Sequence, residues 1–105
     1  MNTILPPTKG TELKISVTAE LGADIHMDDV DFECEFYGTF VQNKVTVRKE
    51  EMIRIDADEY VALVDSAVVG TGQYYMRFTA YIPDTDMDDG LRTEVVTIPT
   101  GIRVV

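Results

Sequence analysis

The segment Asp84-Thr85-Asp86-Met87-Asp88-Asp89-Gly90 sets carboxylates at alternate positions ahead of a glycine, as the first half of a calcium loop presents its oxygen ligands. The pattern then departs from that loop. An EF-hand needs glycine at its sixth position, here Asp89, and a bidentate glutamate at its twelfth, here Val95; Gly90 and Glu94 each sit one place away. Strand patterns rather than helical ones flank the segment. The preferred reading is a solvated acidic hairpin loop with no metal or cofactor. The alternative is a calcium site ligated by Asp84, Asp86 and Asp88.

Other residue types that do chemistry stand alone. Cys34 lies between Phe32 and Phe36 on the apolar register of a strand, where a thiol packs as a small hydrophobe and loses acidity. His26 is the single histidine, beside Met27-Asp28-Asp29; neighbouring carboxylates favour its protonated form, and one Cys with one His is too small a set for structural zinc. The two serines, Ser16 and Ser66, have no nucleophile-elbow context, and Gly70-Thr71-Gly72 leads into a strand rather than a phosphate-binding helix. No catalytic residue is assigned, and an enzyme is not expected.

Charge narrows the partners. With 19 acids against 9 bases and a net charge of −10, the chain cannot supply the cations that phosphate-backbone binding requires, so nucleic acid is not an expected partner. No apolar run reaches the roughly 20 residues that span a bilayer, and Met1–Pro7 lacks a basic segment followed by an apolar one. The expectation is a chain made and used in soluble form, with no membrane partner. A lone cysteine rules out an internal disulfide, which leaves packing to hold the fold and suits a reducing cytoplasm. A length of 105 residues fits one domain, 1–105, with 1–10 an extended lead-in containing Pro6-Pro7 and 99–105 an extended tail.

The elements that must position these residues are strands. Within Gly70–Pro83, Met76, Phe78, Ala80 and Ile82 alternate with Arg77, Thr79 and Tyr81, the period of two that a pleated ribbon imposes. Val30–Tyr37 alternates as sharply, with Val30, Phe32, Cys34 and Phe36 inward and Asp31, Glu33 and Glu35 outward. Further strands are predicted over 11–18, 44–49, 52–56, 60–64 and 91–98, with Lys44 and Arg48 placed to pair across with the outward acids. About seven short strands, frequent turn signals and no convincing helix predict an all-β fold, an antiparallel immunoglobulin-like β-sandwich. On its long strand Tyr75, Arg77 and Tyr81 project away from the core, and Tyr and Arg are enriched where proteins meet. That stripe is the candidate interface.

One resemblance covers most of the chain after Thr11. A Gly-x-Gly before a Tyr-rich strand, then Ile82-Pro83-Asp84, Asp88-Asp89-Gly90, Arg92-Thr93-Glu94-Val95-Val96 and Thr100-Gly101-Ile102, resembles small immunoglobulin-like structural proteins of tailed bacteriophages. The resemblance implies a virion component of head-fibre, capsid-decoration or baseplate type, synthesised in the host cytoplasm. Its implied partners are copies of itself, as a dimer or trimer, and other virion structural proteins. A calcium-dependent carbohydrate- or protein-binding module is the alternative of another class.

Overall fold

Because side chains alternate faces along a strand, each ribbon here has one apolar side that only another layer can cover. The structure, a computed structural model, describes residues 10–22 and 24–105. The lead-in expected over 1–10 therefore lies, up to residue 9, outside the described residues. Seven strands follow: β1 (Glu12–Thr18), β2 (Asp31–Tyr37), β3 (Val45–Arg48), β4 (Ile53–Asp56), β5 (Glu59–Asp65), β6 (Gly72–Pro83) and β7 (Leu91–Val104). All pairings are antiparallel. They form a three-stranded sheet, β1-β5-β4, and a four-stranded sheet, β3-β2-β6-β7, the two layers of an immunoglobulin-like sandwich.

The inward residues of the two sharpest alternations meet in register, Phe32 opposite Ala80, Cys34 opposite Phe78 and Phe36 opposite Met76, and all are buried. Leu13, Ile15 and Val17 of β1 with Ala62 and Val64 of β5 close the core from the other sheet. Phe32 meets Tyr60 edge-on at 5.1 Å across the layers. Each large side chain so covered contributes roughly 1.5–3 kcal/mol, and burial pushes the Cys34 thiol pKa up to about 12, which leaves it inert.

One corner depends on a hydrogen bond. A single helical turn, α1 (Ser66–Val69), links β5 to β6; Asp65 caps it by accepting the Ala67 N–H at 2.9 Å, and Gly70 ends it at φ +93°. Tyr74, fully buried at the start of β6, donates its hydroxyl to the Gly70 carbonyl at 2.5 Å. That is the tyrosine corner typical of such sandwiches. Gly72 is needed beside it, since its φ is +112° and a Cβ would come within 2.1 Å of Thr39 Oγ1.

The expected break at Pro99 is not one. β7 continues through Pro99-Thr100-Gly101 to Val104, and the proline sits where the register with β6 shifts between Tyr75–Pro99 and Gln73–Arg103. Thr100 holds this bulge by donating its hydroxyl to the Tyr74 carbonyl at 3.0 Å and accepting the Ile102 N–H at 3.2 Å. A strand with one hydrogen-bonded neighbour tolerates a residue that has no N–H to give. Val104, predicted in the tail, is buried.

Strand direction sets the loops. β1, β4 and β6 end, and β2, β5 and β7 begin, at the same end of the sandwich. The β1–β2 loop, the β4–β5 turn and the β6–β7 loop therefore cluster there. Replacing Tyr74 by Phe keeps the ring and orphans the Gly70 carbonyl, at a cost of about 1–3 kcal/mol. Urea denaturation checks this: the midpoint falls with an unchanged slope.

Candidate functional site

The loop end is held by charge. Lys49, in a 3-10 turn after β3, directs its ammonium at three carbonyls of the β1–β2 loop: Met27 at 3.1 Å, Asp28 at 3.0 Å and Val30 at 2.6 Å. All three of its donors are used. The same ammonium lies 5.6 Å from the centre of the Phe32 ring and 5.9 Å from that of Tyr60. Beside it, Arg54 Nε and Nη2 donate to both Asp28 oxygens at 2.7–3.0 Å, and the Tyr60 hydroxyl donates to Asp28 Oδ1. The Arg54 bonds first and the Tyr60 bond second hold the Asp28 pKa down at about 2.

A second clamp joins the β1–β2 loop to the β4–β5 turn. His26 Nδ1 lies 2.8 Å from Asp58 Oδ2, and Asp58 Oδ1 accepts the Met27 N–H at 3.2 Å. The hydrogen bond to Asp58, then its charge, raises the His26 pKa above 6.5 and lowers that of Asp58. Next to this clamp an open depression of about 890 Å³ is lined by 18–22, Ile25, His26, Asp56, Asp58 and Glu59. Its walls pair no nucleophile with a base. They set the acids Glu20, Asp56, Asp58 and Glu59 and the single His26 beside the apolar Leu21 and Ile25.

The β6–β7 loop turns on its own side chains. Asp84 Oδ1 accepts the Asp86 N–H at 3.0 Å, Asp84 Oδ2 lies 3.4 Å from Arg92 Nη1, and Asp89 accepts the Leu91 N–H at 3.0 Å. Asp84, Asp86 and Asp88 do not converge: among the described residues no group of three His, Cys, Asp or Glu side chains is placed to hold a metal ion.

The outer face of the four-stranded sheet is different in kind. Register sets it in rows, with Glu35, Arg77 and Thr97 side by side across β2, β6 and β7, then Tyr37, Tyr75 and Pro99. Tyr37 and Tyr75 stack with ring centres 5.8 Å apart and planes 23° from parallel. Tyr75 and Arg77 are exposed. Tyr81 is half-buried and tied down, its hydroxyl donating to Glu33 Oε1 at 2.7 Å. Of the expected cross-strand pairs, Lys44 lies 3.5 Å from Glu35, and Arg48 is the register partner of Glu33.

Thus the stripe Tyr75, Arg77, Tyr81 stands on the face expected of it, with Tyr81 serving the sheet more than the surface. Sequence reasoning missed Tyr37, although it continues the outward series of Glu33 and Glu35 by one further step. Lys49 and the Asp28–Arg54–Tyr60 group were missed as well. Their partners lie 19–32 residues away in sequence, and no spacing rule connects them.

No protein-family model, no curated protein and no solved structure matches the chain.

Two measurements read the loop clamps. Asp28 stabilises the fold above its ordinary pKa of 3.8, and that contribution is lost as pH falls towards about 2. The His26–Asp58 contact acts oppositely, complete below 6.5 and lost as pH rises through the raised value. By NMR, His26 titrates above 6.5 in the native chain and moves down towards it in Asp58→Asn; an unmoved midpoint contradicts the clamp. Lys49→Met, which keeps the stem and removes three donated hydrogen bonds, lowers stability by about 1–3 kcal/mol in thermal melts.

Proposed function

We propose that this chain is a non-enzymatic structural protein of a tailed-phage virion, acting in assembly or surface decoration as a head-fibre or capsid-associated component. The observation that carries the reading is the outer face of the four-stranded sheet, where exposed Tyr75, stacked on half-buried Tyr37, stands beside exposed Arg77. Large amphipathic rings on paired strands lose little freedom when a partner covers them, so most of their contact energy reaches the complex. Its partners are copies of itself, in a symmetric oligomer, and other virion structural proteins. It is synthesised in the host cytoplasm and ends in the particle. A baseplate or tail adaptor would use the same face in the same way.

The sequence resemblance to phage structural proteins and the immunoglobulin-like sandwich support this reading together. The calcium-module alternative draws less support, because Asp84 already serves the turn and Arg92. Co-expression with the structural proteins encoded beside this chain tests the proposal. Tyr75→Ala with Arg77→Ala should cut incorporation into particles about tenfold or more at unchanged thermal stability. Incorporation at the native level would contradict it.

A further inference from the structure

Register sorts the charges on the outer face of the four-stranded sheet into files. Across β3, β2, β6 and β7 the middle row reads Thr46, Glu35, Arg77, Thr97, with Arg48, Glu33, Thr79, Val95 on one side of it and Tyr37, Tyr75, Pro99 on the other. The acids Asp31, Glu33 and Glu35 stand in one file along β2, and bases flank it, Lys44 and Arg48 on the β3 side and Arg77 on β6. Three acids meet three bases here, in a chain where acids outnumber bases 19 to 9. The surplus lies beyond, with Asp29 and Glu50 at the rim near Asp31. Glu33 already accepts from Tyr81 at 2.7 Å, and Glu35 lies 3.5 Å from Lys44. Arg77 differs: it is exposed and, among the described residues, its guanidinium takes part in no ion pair or hydrogen bond.

We propose that two copies of this chain pack outer sheet to outer sheet on this face, about a two-fold axis that runs along the seam between β2 and β6. Rotation about that axis keeps strand direction and exchanges the two strands, so the β2 of one copy lies over the β6 of the other, as in an aligned sandwich. Each row stays opposite itself. Glu35 then faces the partner's Arg77, twice over, and Tyr37 faces the partner's Tyr75. Glu33 comes over the partner's Thr79 and Asp31 over the partner's Tyr81, so no acid lies over an acid. The inference rests on the docking role given to this face above and supplies its self-contact.

Charge selects both the occupant and the axis. A strongly basic partner would meet Lys44, Arg48 and Arg77, and a strongly acidic one the file on β2, whereas balanced files of opposite sign fit their own copy turned by half a revolution. The other axis available within the contact plane runs across the strands. It would lay β2 on β2 and set three acids against three acids. The β2–β6 seam is also the middle of the four strands, where overlap is greatest. Four strands about 4.8 Å apart, and the seven residues of β2 at about 3.4 Å each, give a patch roughly 20 Å each way. Two such patches cover about 1,000 Å² in total, at the low end for a specific interface, so the dimer is reversible with a Kd in the micromolar range. Dilution below that range frees the face.

Charge reversal with mixing tests the contact on the full chain. At about 0.15 M salt, where charges more than about 8 Å apart are screened, sedimentation equilibrium should show a monomer–dimer equilibrium. Glu35→Arg and Arg77→Glu should each weaken it about a hundredfold or more, because each sets like charges against one another twice. An equal mixture of the two variants should dimerise within about tenfold of the native affinity, since opposite charges then face each other at both places. Repulsion inside one chain would not be relieved by mixing. Lys14→Glu, on the outer face of the other sheet, changes net charge as much as Arg77→Glu does and should leave the dimer intact. Isotope-filtered NMR on a mixture of labelled and unlabelled native chain needs no variant: it should show Tyr37 of one copy against Tyr75 of the other. A monomer at every concentration up to about 1 mM overturns the proposal. So does a mixture no tighter than either variant alone, a dimer that ignores both reversals, or contacts of this face with residues 1–9. The docking role fails separately, since particle incorporation of Tyr75→Ala with Arg77→Ala reads it whether or not the free chain pairs with itself.

Discussion

Burial of one side of β6 is the constraint on which the rest of the structure depends. Tyr74, Met76, Phe78, Ala80 and Ile82 leave water together, against β2 within the sheet and against β1 and β5 across the layers. A slip of one residue would send all five outward and bring Tyr75, Arg77 and Tyr81 into the core, so the register of β6 is fixed strongly. The two strands beside it inherit that register. β2 lines up its acids opposite Arg77, Thr79 and Tyr81, and β7 brings Val96 and Ile98 to the core side beyond the reach of the smaller sheet.

The strands that bury a full face were legible in the sequence, because alternation records a burial that each strand enforces locally. β2 and β6 show this best: the inward residues expected of them are the ones covered. Edge strands were harder to read. β4 pairs with β5 and forms a strand, yet all four of its residues are exposed, so hydrogen bonding and not burial holds it in place. β7 was read short because Pro99 and Gly101 signal a stop to any rule based on nearest neighbours. On a one-sided ladder they make a bulge instead. Tyr74 left no signal of its kind either; its burial follows from the corner at Gly70, a feature of how two sheets join.

At the loop end the legible feature was the excess of acid, and the illegible one was how that acid is used. Asp28, Asp58 and Asp84 each answer a cation or a histidine brought from another element, and Lys49 gathers three backbone carbonyls that have left the ladder. These contacts order the loops. They spend the carboxylates on the fold, and the outer sheet face remains the part of the described surface where large rings and a guanidinium stand free of such duties.

Whether that face is covered in an assembly can be measured on side chains directly. Hydroxyl-radical footprinting of Tyr37, Tyr75 and the exposed loop residue Met87, in the free chain and in assembled particles, separates the face from the loops. A docking role predicts that oxidation of Tyr37 and Tyr75 drops on assembly while Met87 reacts as before. Tyrosines that stay equally reactive, with protection confined to Met87 and the acidic loops, would contradict it.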